Sequence, residues 1–130
     1  MSRNPLVRAV PPTSWFFRQP RYLRYMSREI TSIFIGAYCV LLVVGLQRLS
    51  TGQTAWEGFL LALRSPASIV FQFLCLVAAV YHAATWFNAT QKAMPLQIGE
   101  DFVPGNVISG AHYVVWILLS LVVLYLAGAF

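Results

Sequence analysis

Three long uncharged runs dominate the chain, at residues 30–47, 65–91 and 102–130. A hydrocarbon core of about 30 Å needs about 20 helical residues at about 1.5 Å each. Each run therefore predicts one transmembrane helix, once interfacial residues are added or trimmed, at about residues 21–49, 65–90 and 105–130. The predicted fold class is an all-α membrane protein with three transmembrane helices. Residues 1–20 form a basic and aromatic head, and residues 21–130 form the three-helix anchor.

Positive charge is concentrated at the N-terminal end, where residues 1–28 carry six of the nine Lys and Arg side chains. Basic residues are retained on the cytoplasmic side during insertion. With three spans the head shares a side with Lys92, so seven basic residues face two on the other side, Arg48 and Arg64. The N-terminus is therefore predicted to be cytoplasmic and the C-terminus, at Phe130, to lie outside.

Composition agrees with a membrane protein, because 58% of the residues are hydrophobic and only 10% are charged. The net charge of +5 is accounted for by the orientation rule, so no nucleic-acid partner is predicted. A cleaved signal peptide is excluded because the basic region is too long and the apolar run after it has spanning length. The chain has no Gly-rich phosphate loop and no paired Cys motif, so neither a catalytic residue nor a metal site is predicted.

The head contains Pro5, Pro11, Pro12 and Pro20, which predict extended or irregular chain over residues 1–19 and a helix start near Pro20. Arg21, Arg24 and Arg28 then form one stripe at the cytoplasmic end of the first span. Aromatic residues supply a belt at the same level: Trp15, Phe16, Phe17, Tyr22 and Tyr25. Two interpretations of the stripe remain open, namely contact with lipid headgroups and docking of a soluble partner.

Ionisable and hydrogen-bonding groups at the membrane boundary are the best candidates for chemistry, since such groups are costly in hydrocarbon. Glu29 lies near the cytoplasmic end of the first span, and His82 and Trp86 return to that leaflet one helical turn apart. The first span also carries a narrow face with Ser32 and Gly36, suited to close packing. Imidazole and indole N–H groups with a carboxylate suit a quinone, whose carbonyl oxygens accept hydrogen bonds and whose reduced form releases protons.

The chain resembles the C subunit of fumarate reductase, the small membrane anchor of quinol:fumarate reductase. The resemblance covers nearly all of the chain, although the third span is only generically apolar. It rests on motifs in family order: Thr13-Ser14-Trp15, Tyr22 to Met26 followed by Arg28-Glu29, Ala55-Trp56 with Gly58-Phe59, Pro66, and His82 followed by Thr85-Trp86-Phe87.

This resemblance implies a non-catalytic anchor in a heterotetramer of the bacterial cytoplasmic (inner) membrane, with its C-terminus in the periplasm. The partners would be a second hydrophobic anchor subunit, an iron-sulfur subunit and a flavoprotein subunit, and only the last two would carry iron-sulfur clusters and FAD. Menaquinol would be oxidised at a shared site, and no haem is expected. The share of that site in this chain would be Arg28, Glu29, Ser32, His82 and Trp86. The hypothesis for these residues is that His82 and Trp86 orient the quinone, Glu29 moves protons toward the cytoplasm, and Arg28 tunes Glu29 or the semiquinone.

Three alternatives remain. The first is a haem b anchor, as in related succinate dehydrogenase and other fumarate reductase types, where two histidines from different helices ligate the iron. His82 and His112 fall at similar depths in different helices. The second is a small proton-coupled transporter, which would normally need a carboxylate deep in a span. Glu29, Glu57, Glu100 and Asp101 all fall outside the midplane. The third is a purely structural anchor without a ligand.

Overall fold

A computed structural model describes residues 9–129 of the chain, and all of its long elements are helices. A short 3-10 helix, Trp15–Arg18, precedes α1 (Pro20–Thr51), α2 (Gln53–Leu63) and α3 (Pro66–Ala93). Strands β1 (Gln97–Ile98) and β2 (Asp101–Phe102) form a small hairpin before α4 (Gly105–Leu126). The predictions for residues 1–8 and for Phe130 lie outside the described residues.

Helices α1, α3 and α4 are long and apolar enough to cross a membrane, which confirms the three predicted spans. Two of them begin where proline predicts, since Pro20 opens α1 and Pro66 opens α3. Proline suits a first helical turn because its missing N–H would have no intrahelical partner there. The chain is therefore a multi-pass membrane protein built almost entirely of helices.

Two parts of the chain differ from the sequence-based expectation. The prolines predict extended or irregular chain up to residue 19, yet residues Trp15–Arg18 form one 3-10 turn. The sequence predicts only a short connecting loop between the first two spans, but this connection contains the 11-residue helix α2. Helix α2 has an apolar stripe at positions i, i+3 and i+7, formed by Trp56, Phe59 and Leu63. These three side chains line a cavity together with residues of α1.

The chain divides after Cys75 into two units, and α3 runs from the first into the second. In the first unit α1 contacts α2, and the Cys75 thiol of α3 donates to the Phe34 carbonyl oxygen of α1 at 3.5 Å. In the second unit the Ser109 hydroxyl of α4 donates to the Phe87 carbonyl oxygen of α3 at 3.0 Å. Small side chains and interhelical hydrogen bonds mark both contacts, as is usual for helices that pack in lipid.

Gly45 is the buried residue of α1 at its contact with α2. A β-carbon placed on Gly45 would lie 2.9 Å from Cε1 of Phe59. The Phe59 ring is itself stacked on Trp56, with centroids 5.6 Å apart. Glycine at this position therefore lets α1 and α2 approach closely, because any side chain would displace an aromatic ring that already has a partner.

We expect Gly45→Leu to destabilise the protein by about 1–3 kcal/mol, the usual cost of overpacking a filled contact. The matched control is Gly58→Leu on α2, where a β-carbon would meet no described atom within 4 Å. Both changes replace a helical glycine, so their difference isolates the contact with Phe59. Thermal unfolding of the purified protein in detergent should show a lower midpoint for Gly45→Leu alone, and equal midpoints would refute the close approach.

Candidate functional site

The predicted quinone-binding residues fall in both units, and those of the first unit lie on α1 near its predicted cytoplasmic end. Arg28 is half-buried, whereas Glu29 is exposed. The Ser32 hydroxyl donates to the backbone carbonyl oxygen of Glu29 at 2.5 Å, and the Thr31 hydroxyl donates to that of Arg28 at 2.7 Å. The Ser32 hydroxyl hydrogen is therefore used within the helix, which leaves its oxygen as an acceptor.

Glu29 and Ser32 lie on a different side of α1 from the residues that contact α2 and α3. At about 100° per residue, Glu29 and Ser32 are about 140° and 160° around the helix from Phe34. Phe34 accepts the Cys75 hydrogen bond, and Gly45 on the same side is buried. The carboxylate consequently faces a side of α1 that the described part of the first unit leaves uncovered, which suits contact with a partner subunit or with lipid.

In the second unit His82 and Trp86 lie one turn apart on α3, with ring centroids 6.3 Å apart and planes at 53°. His82 is half-buried and Trp86 is 47% exposed. The Thr85 hydroxyl donates to the His82 carbonyl oxygen at 2.9 Å, and that of Thr90 donates to the Trp86 carbonyl oxygen at 2.9 Å. The predicted imidazole–indole pair thus exists as one local group on one side of α3.

The opposite side of α3 forms the contact with α4. The Tyr113 hydroxyl lies 3.4 Å from the Ala84 carbonyl oxygen and 3.2 Å from the Asn88 amide nitrogen. The Phe87 ring contacts His112, Tyr113 and Trp116, with centroid distances of 5.5, 5.0 and 6.0 Å. The sequence analysis missed this polar and aromatic contact, although the spacing of Ser109, His112 and Trp116 within an apolar span was a usable signal.

The two histidines therefore have different surroundings. His82 lies about 160° around α3 from Ala84, on the side away from α4. His112 lies on the α3-facing side of α4, where its Nδ1 is 2.7 Å from the Ile108 carbonyl oxygen. In the neutral ring this contact makes Nδ1 the donor and leaves Nε2 as the acceptor. The two imidazoles therefore lie on different sides of α3, His112 at the α4 contact and His82 away from it.

The described part of the chain does not bring together a set of metal ligands. Within residues 9–129 no three His, Cys, Asp or Glu side chains are grouped so that they would hold a metal ion. Both cysteines are free thiols, Cys75 buried and Cys39 exposed. The groups available at the site are hydrogen-bond donors, acceptors and one carboxylate, which can bind and orient a ligand and exchange protons.

These features define a multi-pass helical membrane protein with hydrogen-bond donors near the predicted ends of its spans. Comparison with known proteins gives its family. The family of fumarate reductase C subunits matches residues 1–128. The chain therefore belongs to the family of fumarate reductase C subunits, whose members are membrane-anchor subunits of a larger complex.

Individual relatives agree with this assignment. The C subunit of fumarate reductase from Klebsiella pneumoniae subsp. pneumoniae is 34% identical over 126 residues, which cover 96% of this chain and 95% of that protein. Its counterpart from Salmonella heidelberg is 33% identical over 125 residues, with the same coverage of 96% and 95%. The one from Mycobacterium tuberculosis strain CDC 1551 / Oshkosh is 31% identical over 112 residues, covering 86% and 89%.

Proposed function

We propose that this chain is a hydrophobic anchor subunit of quinol:fumarate reductase in a bacterial cytoplasmic membrane. Together with a second anchor subunit it attaches a flavoprotein subunit and an iron-sulfur subunit to the cytoplasmic face, as one of four chains. Its N-terminus is cytoplasmic and its C-terminus periplasmic. The complex carries electrons from menaquinol to fumarate in anaerobic respiration. Family membership supports the anchor role. The ionisable and hydrogen-bonding residues near the predicted membrane boundary support a contribution of this chain to the quinol site.

The His82–Trp86 pair is the observation that carries the quinol site. Its rings lie 6.3 Å apart, on the side of α3 directed away from the α4 contact. Imidazole and indole N–H groups both donate hydrogen bonds, and a quinone offers one carbonyl oxygen at each end of its ring. The residues present therefore fit a quinone head, which His82 and Trp86 would bind and orient.

Arg28 and Glu29 supply charge and proton exchange at the same predicted membrane boundary. Oxidation of menaquinol releases two electrons and two protons. Glu29 is exposed, so its carboxylate can accept a proton and return it to water, while Arg28 beside it in sequence supplies a permanent positive charge. Ser32 offers a hydroxyl oxygen on the same side of α1. Iron-sulfur clusters and flavin in the partner subunits would accept the electrons.

A haem-free anchor is favoured over the haem b alternative. A haem held by this chain alone would need His82 and His112 on opposite faces of one iron. The two imidazoles lie on different sides of α3 instead. His112 also has a local role, because its Nδ1 contacts the Ile108 carbonyl oxygen at 2.7 Å and its ring packs on Phe87.

We expect a tag on this chain to co-purify three further subunits, together with flavin, from membranes solubilised in mild detergent. The complex should reduce fumarate with menaquinol as donor. Its dithionite-reduced minus oxidised spectrum, normalised to flavin, should lack haem b bands. About one haem per flavin would overturn the haem-free assignment and leave the anchor role intact, whereas recovery of this chain without flavin would overturn the anchor role.

A further inference from the structure

The hairpin between α3 and α4 presents large apolar side chains to its surroundings. Ile98 on β1 is 75% exposed and Phe102 on β2 is 65% exposed, and Met94 and Leu96 just before β1 are also exposed. The hairpin lies between two membrane-spanning helices, at the end that the charge pattern assigns to the cytoplasm. A cluster of apolar side chains outside the spans indicates a surface that a partner covers.

The exposed apolar side chains lie on both faces of the hairpin. In the antiparallel pairing Gln97 is opposite Phe102, and Ile98 is opposite Asp101. Residues directly opposite each other share a face, whereas neighbours along one strand point to opposite faces. Ile98 and Phe102 therefore lie on opposite faces. A hairpin that lay flat on a surface would cover only one of them, so the pattern suits insertion into a groove that has two apolar walls.

The rest of the described chain holds the base of the hairpin but does not cover its strands. The two strands contact each other, and within residues 9–129 neither contacts a helix. Their pairing ends with a backbone hydrogen bond of 2.8 Å from Val103 to Leu96. At the base α3 and α4 meet closely, because a β-carbon on Gly105 would overlap the Gln91 side chain. An isolated two-stranded hairpin is marginally stable in water, so a partner that packs on both faces would stabilise it.

The charge of the hairpin turn favours a protein over the lipid bilayer as this partner. Glu100 and Asp101 lie at the tip of the hairpin, and both are exposed. Insertion of the tip into hydrocarbon would bury two carboxylates, which is costly. The anionic headgroups of the cytoplasmic leaflet would repel the same two groups. The complementary surface is therefore a protein groove with apolar walls and with Lys or Arg side chains where the turn lies.

The position of the hairpin relative to the proposed quinol site indicates which protein supplies the groove. Trp86 lies seven residues before Ala93, the last residue of α3, which is about 10 Å along the helix. The hairpin follows directly after that helix end. In the proposed function iron-sulfur clusters accept the electrons of menaquinol, so the subunit that carries them lies beside the quinol residues. That subunit is the one within reach of the hairpin.

We propose that the hairpin is the element of this chain that docks the iron-sulfur subunit, by inserting into an apolar groove of that subunit. Ile98 and Phe102 pack against opposite walls of the groove, and Glu100 and Asp101 pair with basic side chains of the partner. This inference rests on the proposed function, which supplies the partner, and it adds the surface that holds that partner.

Photo-cross-linking of the whole complex in membranes identifies the occupant. Benzoylphenylalanine is incorporated at position 98 or at position 102, and after illumination the adducts are identified by mass spectrometry. We expect both positions to cross-link to the iron-sulfur subunit. Position 61 is the control, because Leu61 on α2 is 71% exposed but lies between the first two spans, at the opposite predicted side. Adducts of positions 98 and 102 with lipid, the flavoprotein, the second anchor or another copy of this chain, in place of the iron-sulfur subunit, would overturn the proposal.

Re-binding of the soluble subunits to membranes stripped of them measures the contribution of each side chain. Ile98→Ser and Phe102→Ser should each raise the Kd about tenfold or more, the effect of losing one large buried apolar side chain. Leu61→Ser should leave the Kd at the wild-type value. Glu100→Gln combined with Asp101→Asn should raise the Kd and weaken its dependence on KCl concentration.

The amount of tagged chain in the membrane shows that each variant inserts normally, since the changed side chains are exposed in the chain itself. An unchanged Kd in both serine variants would overturn the hairpin as the docking element and leave the anchor role intact. Failure of the wild-type membranes to bind the soluble subunits would instead overturn the proposed function, and the docking proposal with it.

Discussion

Replacing Glu29 with Gln should lower menaquinol-dependent fumarate reduction by about a hundredfold or more, while the complex assembles normally. A glutamine keeps the size of the side chain but cannot accept a proton, and proton transfer by a positioned group is worth about 10²–10⁴ in rate. The helix should be unaffected, because Ser32 bonds to the backbone oxygen of Glu29 and makes no bond to its carboxylate.

The measurement compares two electron donors in the same preparation. A reduced menaquinol analogue must be oxidised at the anchor, whereas a reduced viologen delivers electrons directly to the soluble subunits. Glu29→Gln should slow only the first reaction. Glu57→Gln is the matched control, since Glu57 lies on α2 and accepts a hydrogen bond from Gln53. A Glu29→Gln complex that oxidises menaquinol at the wild-type rate would remove Glu29 from the proposed mechanism.

Replacing His82 with Leu should lower kcat/KM for menaquinol about tenfold to a hundredfold, because a donor to the quinone is lost and its partner oxygen is left unpaired. His112→Leu provides an internal comparison, because His112 lies in the neighbouring span on a different side of α3. The His112 side chain contacts the Ile108 carbonyl oxygen. Its replacement should lower thermal stability and leave kcat/KM for menaquinol close to that of wild type.

Steady-state rates over a range of menaquinol analogue concentrations, together with flavin content and thermal midpoint, separate these effects. His82→Gln should recover part of the lost activity, because an amide N–H can also donate. If His82→Leu lowers assembly alone and leaves kcat/KM unchanged, the chain would act as a purely structural anchor. If both histidine variants lose activity equally, a shared role for the two imidazoles would replace the assignment to His82.

The hydrophobic pattern determined the class of protein and the number of spans. A helix that crosses a bilayer must satisfy its backbone within itself, so length and apolar character suffice to identify α1, α3 and α4. Proline chemistry located the starts of α1 and α3 for a similarly local reason, since the ring fixes a backbone angle and removes a donor. The one-turn spacing of His82 and Trp86 likewise required only helical geometry.

Helix α2 and the hairpin were harder to predict from the sequence than the three spans. Arg48, Glu57 and Arg64 interrupt the apolar pattern between the first two spans and leave no run of spanning length there. Helix α2 packs within the first unit, with Phe59 at Gly45. The hairpin depends on Gly99, whose φ of +66° lies in the left-handed region that glycine adopts readily. Neither element has the length that makes a transmembrane helix evident.

The sequence by itself determined the membrane class, the three spans and the types of residue that a quinol site would use, because these follow from local periodicity and from composition. Tertiary structure decided which side each residue faces. It placed His82 away from the α4 contact and set His112 against Ile108 and Phe87. Those outcomes depend on contacts between separate helices and turns, which no local pattern encodes.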